Sequence, residues 1–228
     1  MMSTSTQLLR LALPLVKIHG FTRVALAESV LSLPTSNSSA KHSSPLSETA
    51  VSALFGHGDD ARRTLIEAWL AEGLSHMRSA AASGTGTGAT SQPQPSLRTL
   101  LQERLNYNEP VIHHIPEAFA LLLSPSSGVP LLDPTRALKH AASVADEACH
   151  LCGDASLQLS WYTRRASVAV AYSLAELHQL TSPATAPAFL DTLLDQSSQI
   201  GEAVEETSLY ANYVVKSWGG LLRSLGAF

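Results

Sequence analysis

Apolar positions recur along this chain with a period near 3.6 residues, a spacing that predicts helices over almost all of it. Leu8, Leu11, Leu15, Val16 and Ile18 form the first stripe, which stops at Gly20, and a second helix is expected from Phe21 to Leu33. Ser47 to Phe55 reads as a short helix ended by Gly56. Asp59 stands where it can cap the next helix, whose face is Leu65, Ile66, Trp69, Leu70 and Leu74. Ser96 to Tyr107, Pro116 to Leu123 and Pro134 to Leu151 continue the period, with prolines in first turns, where a missing N–H costs little. Leu157 to Leu180 is the most apolar helix, and Ala186 to Ile200 follows it. No segment shows the sustained two-residue alternation of a strand between turn signals, so the expected fold class is all-α.

The last periodic segment differs from the others. Between Glu205 and Leu225, Tyr210, Tyr213, Val214, Trp218, Leu221, Leu222 and Leu225 fall in one broad stripe, while Asn212, Lys216, Gly219 and Arg223 cluster opposite. A Trp- and Leu-bearing face backed by cations suits a helix lying in a membrane interface or over a hydrophobic groove, and it also suits a final core helix. Gly219 and Gly220 weaken such a helix by roughly 1 kcal/mol each, so whatever it docks on must order it. Two Ser/Gly/Pro-rich stretches, Ser32 to Pro45 and Ser83 to Pro95, bury too little apolar surface to offset ordering entropy and are expected to be mobile loops. They divide the chain into an N-terminal helical bundle (residues 1–82), a linker (83–95), a larger helical domain (96–202) and the amphipathic terminal segment (203–228).

Composition narrows the function classes. The chain has 228 residues, 45% of them hydrophobic and 15% charged, and a net charge of −4, which argues against a nucleic-acid partner because phosphate neutralisation needs clustered Lys and Arg. No uninterrupted apolar run approaches the roughly 20 residues of a membrane-spanning helix. Residues 1–26 carry Arg10, Lys17 and Arg23 and no acid, which is transit-peptide-like chemistry, although the same stretch reads better as the first helix of the fold. Cys149 and Cys152 make no disulfide framework, and with His150 they lack the further ligands that a structural zinc site needs. No phosphate-binding glycine loop, no nucleophile elbow and no pair of E-x-x-H motifs for a di-iron centre is present, so catalysis finds no support and no catalytic or metal-binding residue is expected.

One motif is specific. Gly153-Asp154 is followed by Trp161-Tyr162-Thr163-Arg164-Arg165, which opens an apolar helix running on to Ala175-Glu176-Leu177. Arg104-Leu105, Pro110, Ile112, His114, Pro116, Ala118 and His150 flank it; nearer the N-terminus stand His19-Gly20-Phe21-Thr22, Ala27-Glu28 and Leu54-Phe55-Gly56. In order and spacing these residues resemble the coenzyme Q protein nine family, strongly after Ser96 and weakly before it. The resemblance implies a TetR-like helical bundle: an N-terminal helix-turn-helix-like part, a helical lipid-binding domain and a C-terminal amphipathic helix. It further implies a non-enzymatic, homodimeric accessory protein of ubiquinone biosynthesis. Such a protein binds an isoprenoid quinone or phospholipid as its only ligand and docks on the demethoxyubiquinone hydroxylase and other ubiquinone biosynthesis proteins. It makes peripheral contact with the matrix side of the mitochondrial inner membrane. The stretch Ser32 to Pro45 departs from the family's short link between the second and third helices.

The resemblance also assigns roles. Trp161 and Tyr162 would be aromatic anchors of the hydroxylase interface, where the bland reading makes them core residues. His150, Asp154, Arg164 and Arg165 would share that patch, one arginine making an internal ion pair with Asp154 or Glu176. Val168, Ala169, Tyr172, Leu174 and Ala175 mix small with large side chains, as a lipid pocket does and as an ordinary core does. A DNA-binding regulator is the competing reading, but the would-be recognition helix Ser47 to Phe55 has no Lys or Arg to donate to phosphate. An enzyme acting on the quinone ring is the third.

Overall fold

Proline at position 14 breaks the first apolar stripe, because it has no N–H to continue the helical ladder. Helix α1 (Thr4–Ala12) therefore passes through a 3-10 turn at Leu13–Leu15 into a single further turn, α2 (Val16–His19). Gly20 ends it at φ 65°, a left-handed conformation suited to glycine, and the His114 ring lies so close that a Cβ there would sit 2.8 Å from its Nδ1. The computed structural model describes residues 4–33, 44–84, 95–125, 133–154 and 159–202, and all regular structure among them is helical, as the apolar periodicity predicts. The remaining α-helices among the described residues are α3 (Arg23–Glu28), α4 (Glu48–Phe55), α5 (Asp59–Gly84), α6 (Leu97–Asn108), α7 (Ile115–Leu123), α8 (Thr135–Leu151), α9 (Leu159–Thr181) and α10 (Ala186–Glu202). Most residues of the two Ser/Gly-rich stretches, and all of the terminal stripe from Tyr210 to Leu225, lie outside the described residues.

Local chemistry sets the ends. Ser47 and Ser96 cap α4 and α6 by accepting from the N–H of Ala50 (3.2 Å) and Thr99 (3.1 Å). Asp59 lies inside the first turn of α5 rather than capping it; its carboxylate pairs with Arg62 at 3.1 Å.

Helix α5, about 39 Å long at 1.5 Å per residue, runs through two buried clusters. Its first half packs Leu65, Ile66 and Trp69 against α1–α4 and against Ile115 and Leu122 of α7. Its second half gives Met77 and Ala81 to a cluster with α6, α8, α9 and α10. Helix α7 thus joins the N-terminal cluster even though it follows the linker in sequence. In the second cluster, Ala145 and Ala148 of α8 let α9 approach closely, and α9 packs most extensively on α8 and α10. No described helix is long and apolar enough to cross a membrane.

Candidate functional site

The start of α9 is positioned by the end of α8. At that end the N–H of Asp154 bonds to Cys149 O (3.0 Å) and that of Gly153 to His150 O (3.1 Å), a double bond pattern that requires the left-handed residue supplied by Gly153 at φ 70°. The turn leaves Asp154 with only 3% of its side chain exposed, facing α9. Arg165 takes it up at 3.1 Å and also holds Asp146 of α8 at 2.7 Å. Arg164, more exposed, stands 3.5 Å from the same Asp154 carboxylate. Asp154 is therefore the internal partner, shared by both arginines; Glu176 is not, and lies elsewhere.

Arg165 does a second thing. Its guanidinium sits 4.0 Å over the Trp161 ring, and Trp161 in turn meets Tyr162 edge-on at 4.7 Å. Tyr162 is 68% exposed, one of the most exposed large apolar side chains among the described residues. His150 is exposed on the last turn of α8. Of the six expected interface residues, Tyr162, His150 and Arg164 are thus at the surface, Trp161 and Arg165 are half-buried supports, and Asp154 is an inward anchor. Beneath them Cys149 is buried, which pushes its thiol up to about 11. Among the described residues no three His, Cys, Asp or Glu side chains gather as a metal site requires.

The five residues expected along a lipid tail continue down α9, and the structure sends them into packing. Val168, Tyr172 and Ala175 are buried in the second core cluster, Ala169 packs against it, and Leu174 is half-buried. None lines a described groove of appreciable size. The Tyr172 hydroxyl instead donates to Glu176 Oε1 at 2.7 Å, in a buried polar network that sequence reasoning missed.

Glu176, 4% exposed, also accepts from Asn108 Nδ2 at 2.9 Å and faces His140 Nε2 at 3.3 Å. Asn108 Oδ1 accepts from Arg104 (3.0 Å) and from Trp69 Nε1 (3.2 Å). Arg104 is fully buried, lies 5.6 Å from the Tyr107 ring, and presses so near Gly73 that a Cβ there would meet its Cζ at 2.7 Å. Burial by itself raises the Glu176 pKa, but His140, Arg104 and the Tyr172 hydroxyl outweigh it and hold the carboxyl below the usual carboxylate value. Burial pushes the Tyr172 phenol far above its ordinary value.

Openings among the described residues flank this network. A groove of about 690 Å³ lies between the first helices and α5, with Arg10 and Lys17 at its rim and Trp69 and Tyr107 at its floor. A void of about 40 Å³ touches His140 and Glu176. A groove of about 520 Å³ separates α5 and α7 from α8, and His140 lines this one too. On the N-terminal bundle, Arg23 is spent internally: it bonds Glu48 Oε2 (2.7 Å), Ser52 Oγ (2.7 Å) and the carbonyls of Glu48 and Gly58 (3.2 Å each).

Comparison with known proteins bears out the family resemblance read from the sequence. The COQ9 family model matches residues 135–202, which include the whole of α8, α9 and α10. "Ubiquinone biosynthesis protein COQ9, mitochondrial" of Bos taurus is 28% identical over 202 residues, covering 87% of this chain and 56% of that protein. The Homo sapiens protein of the same name is 28% identical over 198 residues, covering 87% and 57%. "Ubiquinone biosynthesis protein COQ9-A, mitochondrial" of Xenopus laevis is 35% identical over 118 residues, covering 50% and 35%. The chain thus spans between about a third and somewhat more than half the length of these curated relatives.

Proposed function

This chain is similar over most of its length to the ubiquinone biosynthesis protein COQ9, and from that premise we propose that it is a lipid-binding accessory protein of ubiquinone biosynthesis. In this reading it is not an enzyme. It binds an isoprenoid quinone intermediate or a phospholipid and presents the intermediate to the demethoxyubiquinone hydroxylase. It works as a homodimer with a TetR-like fold, at the matrix face of the mitochondrial inner membrane. The relatives' names carry the pathway and the mitochondrion.

The observation that supports docking is the Tyr162–Trp161–Arg165 stack. An exposed aromatic whose neighbours are already fixed loses little side-chain entropy on binding, which is what makes such residues interface anchors. The DNA-binding alternative is disfavoured because Arg23, the cation beside α4, is committed to Glu48 and Ser52.

The test is binding of the full chain to the purified hydroxylase, with lipids extracted and identified by native mass spectrometry. Tyr162→Ala should weaken the complex at least tenfold, about 1.4 kcal/mol, with no loss of thermal stability, and the wild-type protein should carry a prenylated quinone or phospholipid. A wild-type chain that ignores the hydroxylase, or a Tyr162→Ala variant that binds equally well, refutes the docking assignment. A chain free of lipid refutes lipid presentation.

A further inference from the structure

The most exposed large apolar side chain among the described residues is Ile18, 72% open to solvent in the last turn of α2. Val24 (48%) and Leu31 (42%) are exposed as well, on α3 and on the 3-10 turn Ser29–Ser32 that continues it. Ala25, Leu26 and Val30 bury the opposite side of that element in the N-terminal core, so Val24 and Leu31 share the outward one. Glu28 lies between them, four residues after Val24 and three before Leu31. His19 meets Glu28 at 2.9 Å, which ties the end of α2 to the middle of this outward face and brings Ile18 to its edge. We propose that Ile18, Val24 and Leu31 form a contact face by which the N-terminal bundle rests on an anionic bilayer. The inference rests on the reading above that places the chain at a membrane, and it adds to the terminal stripe a second surface of contact.

The chemistry of the face favours lipid over protein. Protein interfaces draw their affinity from Trp, Tyr and Arg seated in pockets, and Leu and Val are under-represented among such residues. Here the three large side chains are aliphatic and project outward, and they line none of the grooves described above. A fluid hydrocarbon boundary accepts projecting aliphatics without shape matching, and buried apolar area together with attraction to anionic lipid sets the strength of such contacts. The charge has the sign this needs. Residues 4–33 carry three cations, Arg10, Lys17 and Arg23, and one acid, Glu28, a formal charge of +2 within a chain of −4. The acids closest to the face are matched within the bundle, Glu28 by His19 and Glu48 by Arg23. Lys17, beside Ile18, is exposed, where a cation is drawn to an anionic surface within a Debye length of it.

The test puts an environment-sensitive nitrobenzoxadiazole label on the full chain at Ile18→Cys, in a Cys152→Ser background that leaves only the buried Cys149 as a native thiol. Leu138→Cys, exposed on α8, carries the same label as a control. Vesicles are phosphatidylcholine alone or phosphatidylcholine mixed with phosphatidylglycerol, and co-sedimentation reports binding of the whole chain. On mixed vesicles the label at 18 should shift to the blue and brighten, while the label at 138 stays as it was. Val24→Ser combined with Leu31→Ser should raise the lipid needed for half that response at least tenfold, and Lys17→Glu should remove the preference for mixed over neutral vesicles. Circular dichroism melts check that the variants fold. A chain that sediments with mixed vesicles while the label at 18 stays in water overturns this face and leaves the membrane reading intact. A chain that does not sediment overturns both. Equal shifts at 18 and 138, or equal responses to the two kinds of vesicle, overturn the proposal as non-specific adsorption. A blue shift at 18 that grows with protein concentration in the absence of vesicles means that a second copy covers the face, and overturns it too.

Discussion

Replacing Glu176 by glutamine tests the buried network with almost no change of shape. Glu176 Oε1 accepts from Asn108 and Tyr172 at 2.9 and 2.7 Å, and a glutamine oxygen can keep both bonds. What the variant loses is charge. Arg104, with no exposed surface, would stay in the core without the carboxylate that offsets it through Asn108. Removing one partner of a buried charge pair costs about 3–5 kcal/mol, and the retained hydrogen bonds argue for the low end, about 3 kcal/mol. For a chain of this size that corresponds to a fall in Tm of roughly 6–12 °C. The pH dependence has a definite sign. The folded-state pKa of Glu176 is depressed, so its contribution is complete above the unfolded carboxylate pKa of about 4.3 and disappears as pH falls through the lower folded value. Urea denaturation of wild type and Glu176→Gln should therefore show a gap of about 3 kcal/mol at pH 7 that narrows below about pH 4. Other carboxylates titrate equally in both proteins and cancel in the difference. A variant within about 0.5 kcal/mol of wild type at pH 7, or a gap that persists unchanged in acid while both remain folded, refutes the assignment of a buried, charge-compensating carboxylate.

Gly73→Ala should destabilise the protein by about 1–2 kcal/mol, because the overpacking against Arg104 Cζ at 2.7 Å exceeds the roughly 1 kcal/mol that alanine gains in a helix; a raised Tm would show that Arg104 yields freely. Arg23→Met should cost about 2 kcal/mol and speed amide exchange across residues 48–58, the segment its bonds to Glu48, Ser52 and Gly58 tie down; unchanged exchange there would sink that role. Cys149, buried and with its pKa pushed up to about 11, should resist iodoacetamide at pH 8 until urea unfolds the chain, as peptide mass spectrometry would show; alkylation under native conditions contradicts the packing.

The helices were legible because their ends carry local chemistry: Gly20, Gly56 and Gly153 stop helices at positive φ, and Pro116 lies in the first turn of α7. The Trp161–Arg165 motif was legible as a unit, but its geometry was not. That Arg165 rather than Arg164 closes on Asp146 and stacks on Trp161 depends on how α8 ends, a tertiary matter. The buried network stayed hidden because Arg104, Asn108, His140 and Glu176 come from three helices and each alone resembles a solvated polar position. A signal did exist. Arg104 and Asn108 fall on the same helical stripe as Leu100, Leu101 and Leu105, so the apolar period itself places them inward. Small residues among large ones on α9 suit a pocket lining and an ordinary core alike, since Ala175 beside Tyr172 is also what close helix packing against the α8 alanines requires.

The two polar constellations together explain why α9 presents its first turn in a fixed place. Hydrophobic contacts alone tolerate sliding of one helix past another, since many registers bury similar area. A slip of α9 by one turn, about 5.4 Å, would carry Glu176 away from Asn108 and His140 and leave a buried carboxylate facing no donors from α6 or α8. The same slip would break Arg165 from Asp146 and Asp154. These two fixations sit eleven residues apart on α9, about 17 Å along its axis, one deep in the bundle and one at its surface. Satisfying both admits a single register. Tyr162, three residues before Arg165, is therefore held at the surface by interactions it does not itself make, and a change at Glu176 or Asp146 should blur the surface around Tyr162 without touching it.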